Sequence, residues 1–317
     1  MIKKFIKHIA KKLGLELTSN YDFERKELYI SILEQLVLTS NSSLKEGCTI
    51  IVFSKDRALQ LDALIRSFYD CVENPPKMLV LYHCSSTEFE QAYEKLKRKN
   101  QSKPNLTFVK ENAFKTDLVE LMRKVTTEKL LFLVDDIFFK SKFDFNTFLE
   151  LDTKAYVPSL RMAPHLNFAY TLQKKQTLPK FSELNKEDDF LSWDFKQAEF
   201  DWAYPLSVDG HLFETKDFKI FVEALDFKAP NSFEEALQVM LPLYQKKRGV
   251  CFHESKIINI PCNKVQAENT NISGEISIQE LNEKWLNGFI INYKEHLNIR
   301  NKSAHQELTF SFEKDEN

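Results

Sequence analysis

Short apolar segments that alternate with helical patterns are the most constraining feature of the first half of this 317-residue chain. Each segment is rich in aliphatic side chains, and the stretches between them repeat their apolar residues every three or four positions. The segments are residues 49–53, 78–82, 106–109 and 129–134. Strands that alternate with helices form a mostly parallel sheet covered by helices on both faces. The pattern therefore predicts an α/β fold.

The bulk composition excludes several other classes of protein. An apolar content of 43% supplies enough side chains for a large buried core, which argues against a disordered chain. A formal net charge of −2 gives no electrostatic reason to bind nucleic acid. The five cysteines are widely spaced, so neither a disulfide framework nor a zinc site is expected, and the chain is predicted to be cytoplasmic.

The N-terminal segment has a basic amphipathic pattern. Apolar residues recur at helical spacing between positions 2 and 13, and lysines fill the positions between them. Such a helix is typical of proteins that lie on an anionic membrane surface, and the alternative is a terminal helix that docks on its own domain. We therefore expect a helical extension over residues 1–43, one domain over 44–300 and a polar tail over 301–317.

Polar residues follow three of the predicted strands directly. They occupy positions 54–57, 84–87 and 135–136. Ligands of open parallel sheets bind at the carboxyl ends of the strands, so these residues are expected to line one crevice.

Asp135 and Asp136 are the strongest signal for chemistry, because they end a buried apolar strand. Two adjacent carboxylates repel each other, and a divalent cation that also binds substrate phosphates relieves this repulsion. The alternative is a helix cap or turn with solvated aspartates.

Residues 50–57 and 131–136 together resemble the corresponding motifs of GT-A-fold glycosyltransferases, in particular family 2-like members. The resemblance implies a Rossmann-like, mostly parallel sheet that binds a nucleotide-sugar donor. It makes Asp136 the direct ligand of Mn²⁺ or Mg²⁺ and places Asp135 nearer the ribose or the sugar. Val134 stands where many members have a first aspartate.

The resemblance also indicates which residues contact the donor. Ser54, Asp56 and Arg57 follow the first strand, and a guanidinium such as that of Arg57 suits a diphosphate. The alternative for Arg57 is a surface ion pair. Ser85 lies after the second strand, where relatives that bind uridine often have an acidic residue. Lys264 is a candidate to neutralise the leaving diphosphate.

Acceptor contacts are expected from the aromatic middle of the chain. Trp202 and Tyr204 are candidates to stack on a sugar face, and burial in the core is the alternative. Residues 209–213 resemble a mid-domain strand of the family, in which Gly210 lets a substrate approach the backbone. His211 in this strand is a further candidate for acceptor binding.

Candidate catalytic carboxylates follow in the order that the family would have. In inverting members a carboxylate near a helix start is the general base, which makes Glu234 or Glu235 the candidate, with Asp209 as the substitute if neither serves. The alternative for both glutamates is helix capping. His253 is a candidate metal ligand, since some members place a histidine there, and a surface ion pair with Glu254 is its alternative.

These residues predict a metal-dependent enzyme that moves a sugar from a nucleotide diphosphate sugar to a hydroxyl group of a glycan or lipid-linked acceptor in surface glycan synthesis. Two other functions remain open. One is nucleotidyl transfer to a sugar phosphate, which uses a similar sheet. The other is carbohydrate binding without catalysis on a decayed transferase domain.

Overall fold

The computed structural model describes residues 20–39, 44–184, 189–261 and 276–315. The chain divides into two compact units, Met1–Ser42 and Ser43–Asn317. The basic pattern at residues 2–13 and the candidate Lys264 lie outside the described residues. Among the described residues, no helix is long and apolar enough to cross a membrane.

The helices and strands of the described residues follow in chain order. The helices are α1 (Asn20–Leu38), α2 (Ala58–Cys71), α3 (Thr87–Lys99), α4 (Phe114–Lys124), α5 (Phe145–Leu149), α6 (Thr215–Ala224), α7 (Pro230–Leu237), α8 (Leu241–Tyr244) and α9 (Ile278–Leu286). The strands are β1 (Lys45–Lys55), β2 (Val72–Glu73), β3 (Lys77–His83), β4 (Leu106–Lys110), β5 (Thr127–Val134), β6 (Ile137–Phe139), β7 (Phe143–Asp144), β8 (Tyr156–Ser159), β9 (Phe168–Ala169), β10 (Lys174–Lys175), β11 (Ser182–Glu183), β12 (Phe190–Asp194), β13 (Leu212–Glu214), β14 (Arg248–Phe252), β15 (Ile257–Asn259), β16 (Phe289–Ile291) and β17 (Phe312–Lys314).

A five-stranded sheet with the order β13-β5-β1-β3-β4 forms the centre of the second unit. β1 pairs in parallel with both β3 and β5, β4 is parallel to β3, and only β13 is antiparallel. The predicted α/β fold with a mostly parallel sheet is therefore confirmed. The side chains of residues 48–54 in β1 are all buried, which fits a central strand covered on both faces.

Helix α2 fixes the sheet against the rest of the unit. Its apolar positions recur at helical spacing, and Leu61, Leu64 and Phe68 are fully buried. The helix contacts β1, β6 and β16, so it packs between the central sheet and the C-terminal part of the chain.

A second sheet with the order β11-β12-β14-β8 carries the aromatic half of the unit. A separate antiparallel pair joins β15 to β6, in which Asn259 is opposite Ile137. Because β6 begins directly after Asp136, this pair ties the segment around β15 to the end of the central sheet.

The segment expected to be a polar tail differs from that expectation. Asn301, Ser303, Ala304 and Phe310 are buried, and β17 pairs with β16. Residues 301–315 therefore pack into the second unit. Polar side chains hold part of this segment in place through hydrogen bonds. For example, Asn301 Nδ2 donates to the Ser303 carbonyl at 2.7 Å.

Gly210 has a different role from the one its sequence position indicated. Its φ is +77°, and a Cβ built there would lie 2.3 Å from Ile257 Cδ1. Its N–H donates to the Phe132 carbonyl at 2.8 Å. The missing side chain therefore makes room for Ile257 and for a left-handed backbone, and leaves no gap for a substrate.

We expect Gly210→Ala to lower the free energy of unfolding more than Gly288→Ala. Gly288 also has a positive φ, +82°, but nothing lies within 4 Å of its Cβ position. Gly288→Ala should cost about 1–2 kcal/mol for the backbone alone. Gly210→Ala should cost about 1–3 kcal/mol more because of the clash. Urea denaturation measures both, and equal losses would contradict the packing argument.

Candidate active site

The loops that follow β1 and β3 are joined by Asp56. Its backbone lies in the left-handed region, with φ +56°, which is uncommon for a residue with a side chain. The carboxylate Oδ1 accepts a hydrogen bond from Ser85 N at 2.7 Å, and Asp56 N donates to the His83 carbonyl at 3.2 Å. The two loops predicted to share a crevice are therefore in direct contact, and this contact offsets the backbone strain at Asp56.

Asp135 is a buried hydrogen-bond acceptor for the loop after β1. Its Oδ2 accepts from Ser54 Oγ at 2.9 Å and from Lys55 N at 3.0 Å, and its Oδ1 accepts from Arg57 Nη1 at 3.0 Å. The hydroxyls of Ser54 and Tyr93 are also hydrogen-bonded. Burial raises the pKa of Asp135, although the charge of Arg57 opposes the shift. Both carboxylate oxygens are occupied, so Asp135 positions the loop.

Asp136 has one occupied and one unoccupied carboxylate oxygen. Oδ2 lies 3.1 Å from Arg57 Nη1, whereas Oδ1 is buried and has no hydrogen-bond partner. Burial raises the pKa of Asp136 to about 6; the charge of Arg57 opposes the shift, and the charges of Asp135 and Asp209 add to it. A buried acceptor without a donor is costly, so Oδ1 requires a ligand.

A second charged group lies near Asp136 and consists of Asp209, Arg161 and His305. Asp209 Oδ2 is 3.2 Å from Arg161 Nη1 and 3.4 Å from His305 Nε2. Burial acts to raise the pKa of Asp209, but the hydrogen bond from His305 and the charge of Arg161 outweigh it, and the pKa lies below its ordinary value. The charge of Asp209 raises the pKa of Asp136 and the charge of His305 lowers it, so the two groups interact.

The structure separates the two candidate glutamates. Glu235 is exposed on α7. Glu234 Oε2 accepts from Val208 N at 2.8 Å and from Ser207 Oγ at 3.4 Å. Burial and then the charge of Asp209 raise the pKa of Glu234. Only Glu234 therefore faces the site, where it holds the loop that leads to Asp209.

The expected acceptor residues lie largely in the core. Trp202 is 0% exposed and donates its indole N–H to the Leu166 carbonyl at 3.0 Å, so it has no surface for a sugar. His211 is also buried, with Nδ1 3.1 Å from the Pro205 carbonyl, and burial lowers its pKa to about 3. Tyr204 is half-buried and accepts from Gln238 Nε2 at 3.0 Å. The aromatic composition of this region serves packing.

The histidine near Asp136 is His305 and not the expected His253. The His253 side chain is 52% exposed, and its Nε2 lies 3.7 Å from Asp189 Oδ1, so it lies at the surface, with Asp189 and not Glu254 as its acidic neighbour. The sequence reasoning missed His305 because it lies in the segment taken for a tail. It also missed Arg161, which follows β8 without a recognisable motif.

The donor set around Asp136 limits what kind of cation the site can hold. Within the described residues, no group of three or more histidines, cysteines and carboxylates is arranged to hold a metal. Asp136 Oδ1 still offers one free carboxylate oxygen. The residues therefore fit a hard cation that takes most of its ligands from substrate phosphates and water, which is the usual mode of Mg²⁺.

Comparison with known proteins gave a sequence relative and several structural neighbours. The chain is 26% identical over 299 residues to the bifunctional glycosyltransferase pgtA of Dictyostelium discoideum, a match that covers 82% of this chain and 38% of that protein. The chain thus spans about two fifths of the length of this relative. No family model matches. The resemblance to glycosyltransferases is confirmed by this match.

The solved structures resemble the chain more distantly. S. aureus TarS in complex with UDP-GlcNAc has a TM-score of 0.40 at 14% identity, covering 67% of this chain and 57% of TarS. The 4-diphosphocytidyl-2C-methyl-D-erythritol synthase of Anaerococcus prevotii has a TM-score of 0.39 at 12% identity, covering 76% of this chain and 96% of that protein.

We expect Asp136→Asn to stabilise the metal-free protein at neutral pH. The unfolded chain releases this proton near pH 3.8 and the folded chain near pH 6, so the free energy of unfolding falls as pH rises between these values. Asparagine does not ionise, so the variant avoids the cost of the buried charge. Its free energy of unfolding should be about 1–3 kcal/mol higher at pH 7.5 and little changed at pH 4. Urea denaturation in EDTA at both pH values measures the gain.

The exposed carboxylate at Glu235 provides the control for this experiment. Glu235→Gln should leave the free energy of unfolding within about 0.5 kcal/mol at both pH values. A loss of stability in Asp136→Asn at pH 7.5 would mean that the carboxylate is held favourably in its charged form.

Proposed function

We propose that this chain transfers a sugar from a nucleotide diphosphate sugar to a hydroxyl group of an acceptor. The observation that carries the proposal is the buried, unpartnered Oδ1 of Asp136, at the carboxyl end of β5 and beside the loop after β1. Ligands of such sheets bind at this edge. The sequence similarity to pgtA supports the same reaction class.

The donor diphosphate lies, in this proposal, between Asp136 and the loop from Ser54 to Arg57. A bound Mn²⁺ or Mg²⁺ would stabilise the negative charge that develops on the leaving diphosphate. Asp136 Oδ1 would hold the cation, and Arg57 would add positive charge beside the phosphates while it fixes both aspartates. Asp135 keeps the loop in place through Ser54 and Lys55.

The acceptor side of the reaction requires a group that removes the hydroxyl proton. The candidates are Asp209, which is buried, and Glu234, which is half-buried, and the resemblance favours a carboxylate in this role. Glu234 is engaged by two donors of the loop at Ser207 and Val208. Asp209 is paired with Arg161 and His305.

The acceptor is, in this proposal, a glycan or a lipid-linked intermediate of a surface glycan. The basic amphipathic pattern of residues 2–13 supports this choice, because lysines beside an apolar helical face bind anionic lipid surfaces. A transferase held at such a surface meets lipid-linked acceptors there.

A first test of the proposal measures donor binding. UDP with Mn²⁺ should raise the melting temperature of the wild-type chain, since a ligand that binds only the folded state stabilises it. Asp136→Asn should lose the Mn²⁺-dependent part of the shift, whereas His253→Asn should keep it. Asp135→Asn is expected to impair transfer. If no nucleoside diphosphate among UDP, GDP, CDP, ADP and TDP shifts the wild type with Mn²⁺ or Mg²⁺, the proposal is wrong.

A second test concerns the membrane. Deleting residues 1–13 should weaken binding to vesicles that contain phosphatidylserine and leave transfer to soluble acceptors intact. Binding of the full chain should fall as salt rises, because surface charges are screened beyond about 8 Å at 0.15 M salt. Vesicle sedimentation measures both effects, and equal binding of the truncated and full chains would exclude the lipid contact.

A further inference from the structure

A large open cleft lies on the side of the site where His305 is found. Its volume is about 960 Å³, and it is lined by residues of two segments, 167–176 and 302–307. This volume is at the upper end of the range for small-molecule sites. His305 belongs to the lining and its Nε2 lies 3.4 Å from Asp209 Oδ2, so His305 connects the cleft to the charged group beside Asp136.

The two segments of the cleft are fixed to each other. Phe168 N donates to the Lys302 carbonyl at 3.1 Å, and Tyr170 N donates to Ser303 Oγ at 3.1 Å. The Tyr170 hydroxyl is also hydrogen-bonded to Glu307. The walls are therefore held by backbone and side-chain bonds across the cleft, and the site is largely preformed.

The position of His305 is fixed by the same strand that contacts Asp136. Asn259 N donates to the Ala304 carbonyl at 3.1 Å, and Gln306 N donates to the Asn259 carbonyl at 3.0 Å, one residue on each side of His305. The next residue, Ile260, donates its N–H to the Asp136 carbonyl at 2.8 Å. Three backbone hydrogen bonds thus hold the segment of His305 near the carboxylates.

The lining of the cleft matches the chemistry of a sugar. Asn167 and Gln306 carry amides, which both donate and accept hydrogen bonds, as sugar hydroxyls do. Phe168 and Tyr170 add aromatic surface, which suits the apolar face of a sugar ring. Lys175, Lys302 and Glu307 also line the cleft, so charges of both signs accompany the amides and aromatic rings that suit a glycan.

We propose that this cleft binds the acceptor glycan and that His305 is the general base that removes the proton from its reacting hydroxyl. The inference rests on the proposed function. In the neutral imidazole, Nε2 carries the proton and donates it to Asp209, which leaves the lone pair on Nδ1 free to accept the hydroxyl proton. Asp209 is then a positioning residue that stabilises the imidazolium.

The bonds change in one displacement. The acceptor oxygen forms a bond to the anomeric carbon as its proton passes to His305 Nδ1. The bond between the anomeric carbon and the diphosphate oxygen breaks, and its electron pair remains on the diphosphate. The anomeric configuration of the product is therefore inverted. The proton leaves His305 for solvent before the next turnover.

The test uses the full chain with UDP and Mn²⁺ and a panel of p-nitrophenyl glycosides as acceptors. Saturation-transfer NMR should detect at least one glycoside bound to the UDP-loaded protein, and Tyr170→Ala should abolish that signal without changing UDP affinity. If no glycoside of the panel binds the UDP-loaded wild type, the glycan assignment of the cleft is wrong.

Transfer kinetics test the role of His305 as general base. They use the glycoside that binds and a UDP-sugar whose sugar the wild type transfers to it. His305→Gln and His305→Asn should lower kcat by about 10²–10⁴-fold, with the acceptor KM within a few-fold and UDP affinity unchanged. Asp209→Asn should lower kcat less, and the double variant should lose little more than His305→Gln alone. The surface variant His253→Gln is the control and should keep the wild-type kcat.

The outcomes separate the two proposals. If the wild type binds none of UDP, GDP, CDP, ADP and TDP, the proposed function itself is refuted; if it binds one of these other than UDP, the same tests use that nucleotide and its sugars. UDP binding together with transfer within a few-fold of wild type in both His305 variants would refute only the role of His305. If Glu234→Gln lowers kcat while both His305 variants keep the wild-type kcat, the general base is Glu234 and not His305. A product with retained anomeric configuration would also overturn the inference.

Discussion

The contact of Arg57 with Asp135 and Asp136 is the interaction on which the site depends. Two adjacent carboxylates are buried at the end of β5, and a single guanidinium nitrogen lies about 3 Å from both. Removing the guanidinium from such a buried group typically costs about 3–5 kcal/mol, because the carboxylates are then left uncompensated. The same contact brings the loop after β1 to the end of β5. Fold and site are therefore stabilised by the same buried charges at this point.

The arrangement leaves the two aspartates unequal, although they are adjacent in sequence. Asp135 receives three hydrogen bonds, and its oxygens are all used to hold the loop. Asp136 shares Arg57 through one oxygen and keeps the other buried and unpartnered. The two aspartates form the turn between β5 and β6, where their carboxylates have different hydrogen-bond partners. This explains how one aspartate positions the loop while its neighbour is left to bind a ligand.

The sequence predicted the central sheet and the meeting of its loops, because both depend on local patterns. Apolar periodicity identified β1, β3, β4 and β5, and the rule for parallel sheets brought Ser54, Arg57, Ser85, Asp135 and Asp136 to one edge. The aromatic half of the unit and the other side of the site depend on long-range packing, which leaves no local pattern in the sequence. Trp202 and His211 are of residue types that suit a sugar site, but both are buried in the core. Arg161 follows β8, and His305 lies in the C-terminal segment. No sequence motif links these two positions to the site.

The C-terminal segment has a physical reason to belong to the site. Its polar sequence resembles a tail because its order comes from hydrogen bonds to Asn259 and from a few buried residues such as Ala304 and Phe310. The strand that holds it, β15, pairs with β6, which begins directly after Asp136. Any displacement of Asp136 therefore moves the support of His305 as well. The two sides of the site, one near the strand ends and one near the cleft, are coupled through three consecutive backbone connections, so the base and the carboxylates keep their spacing.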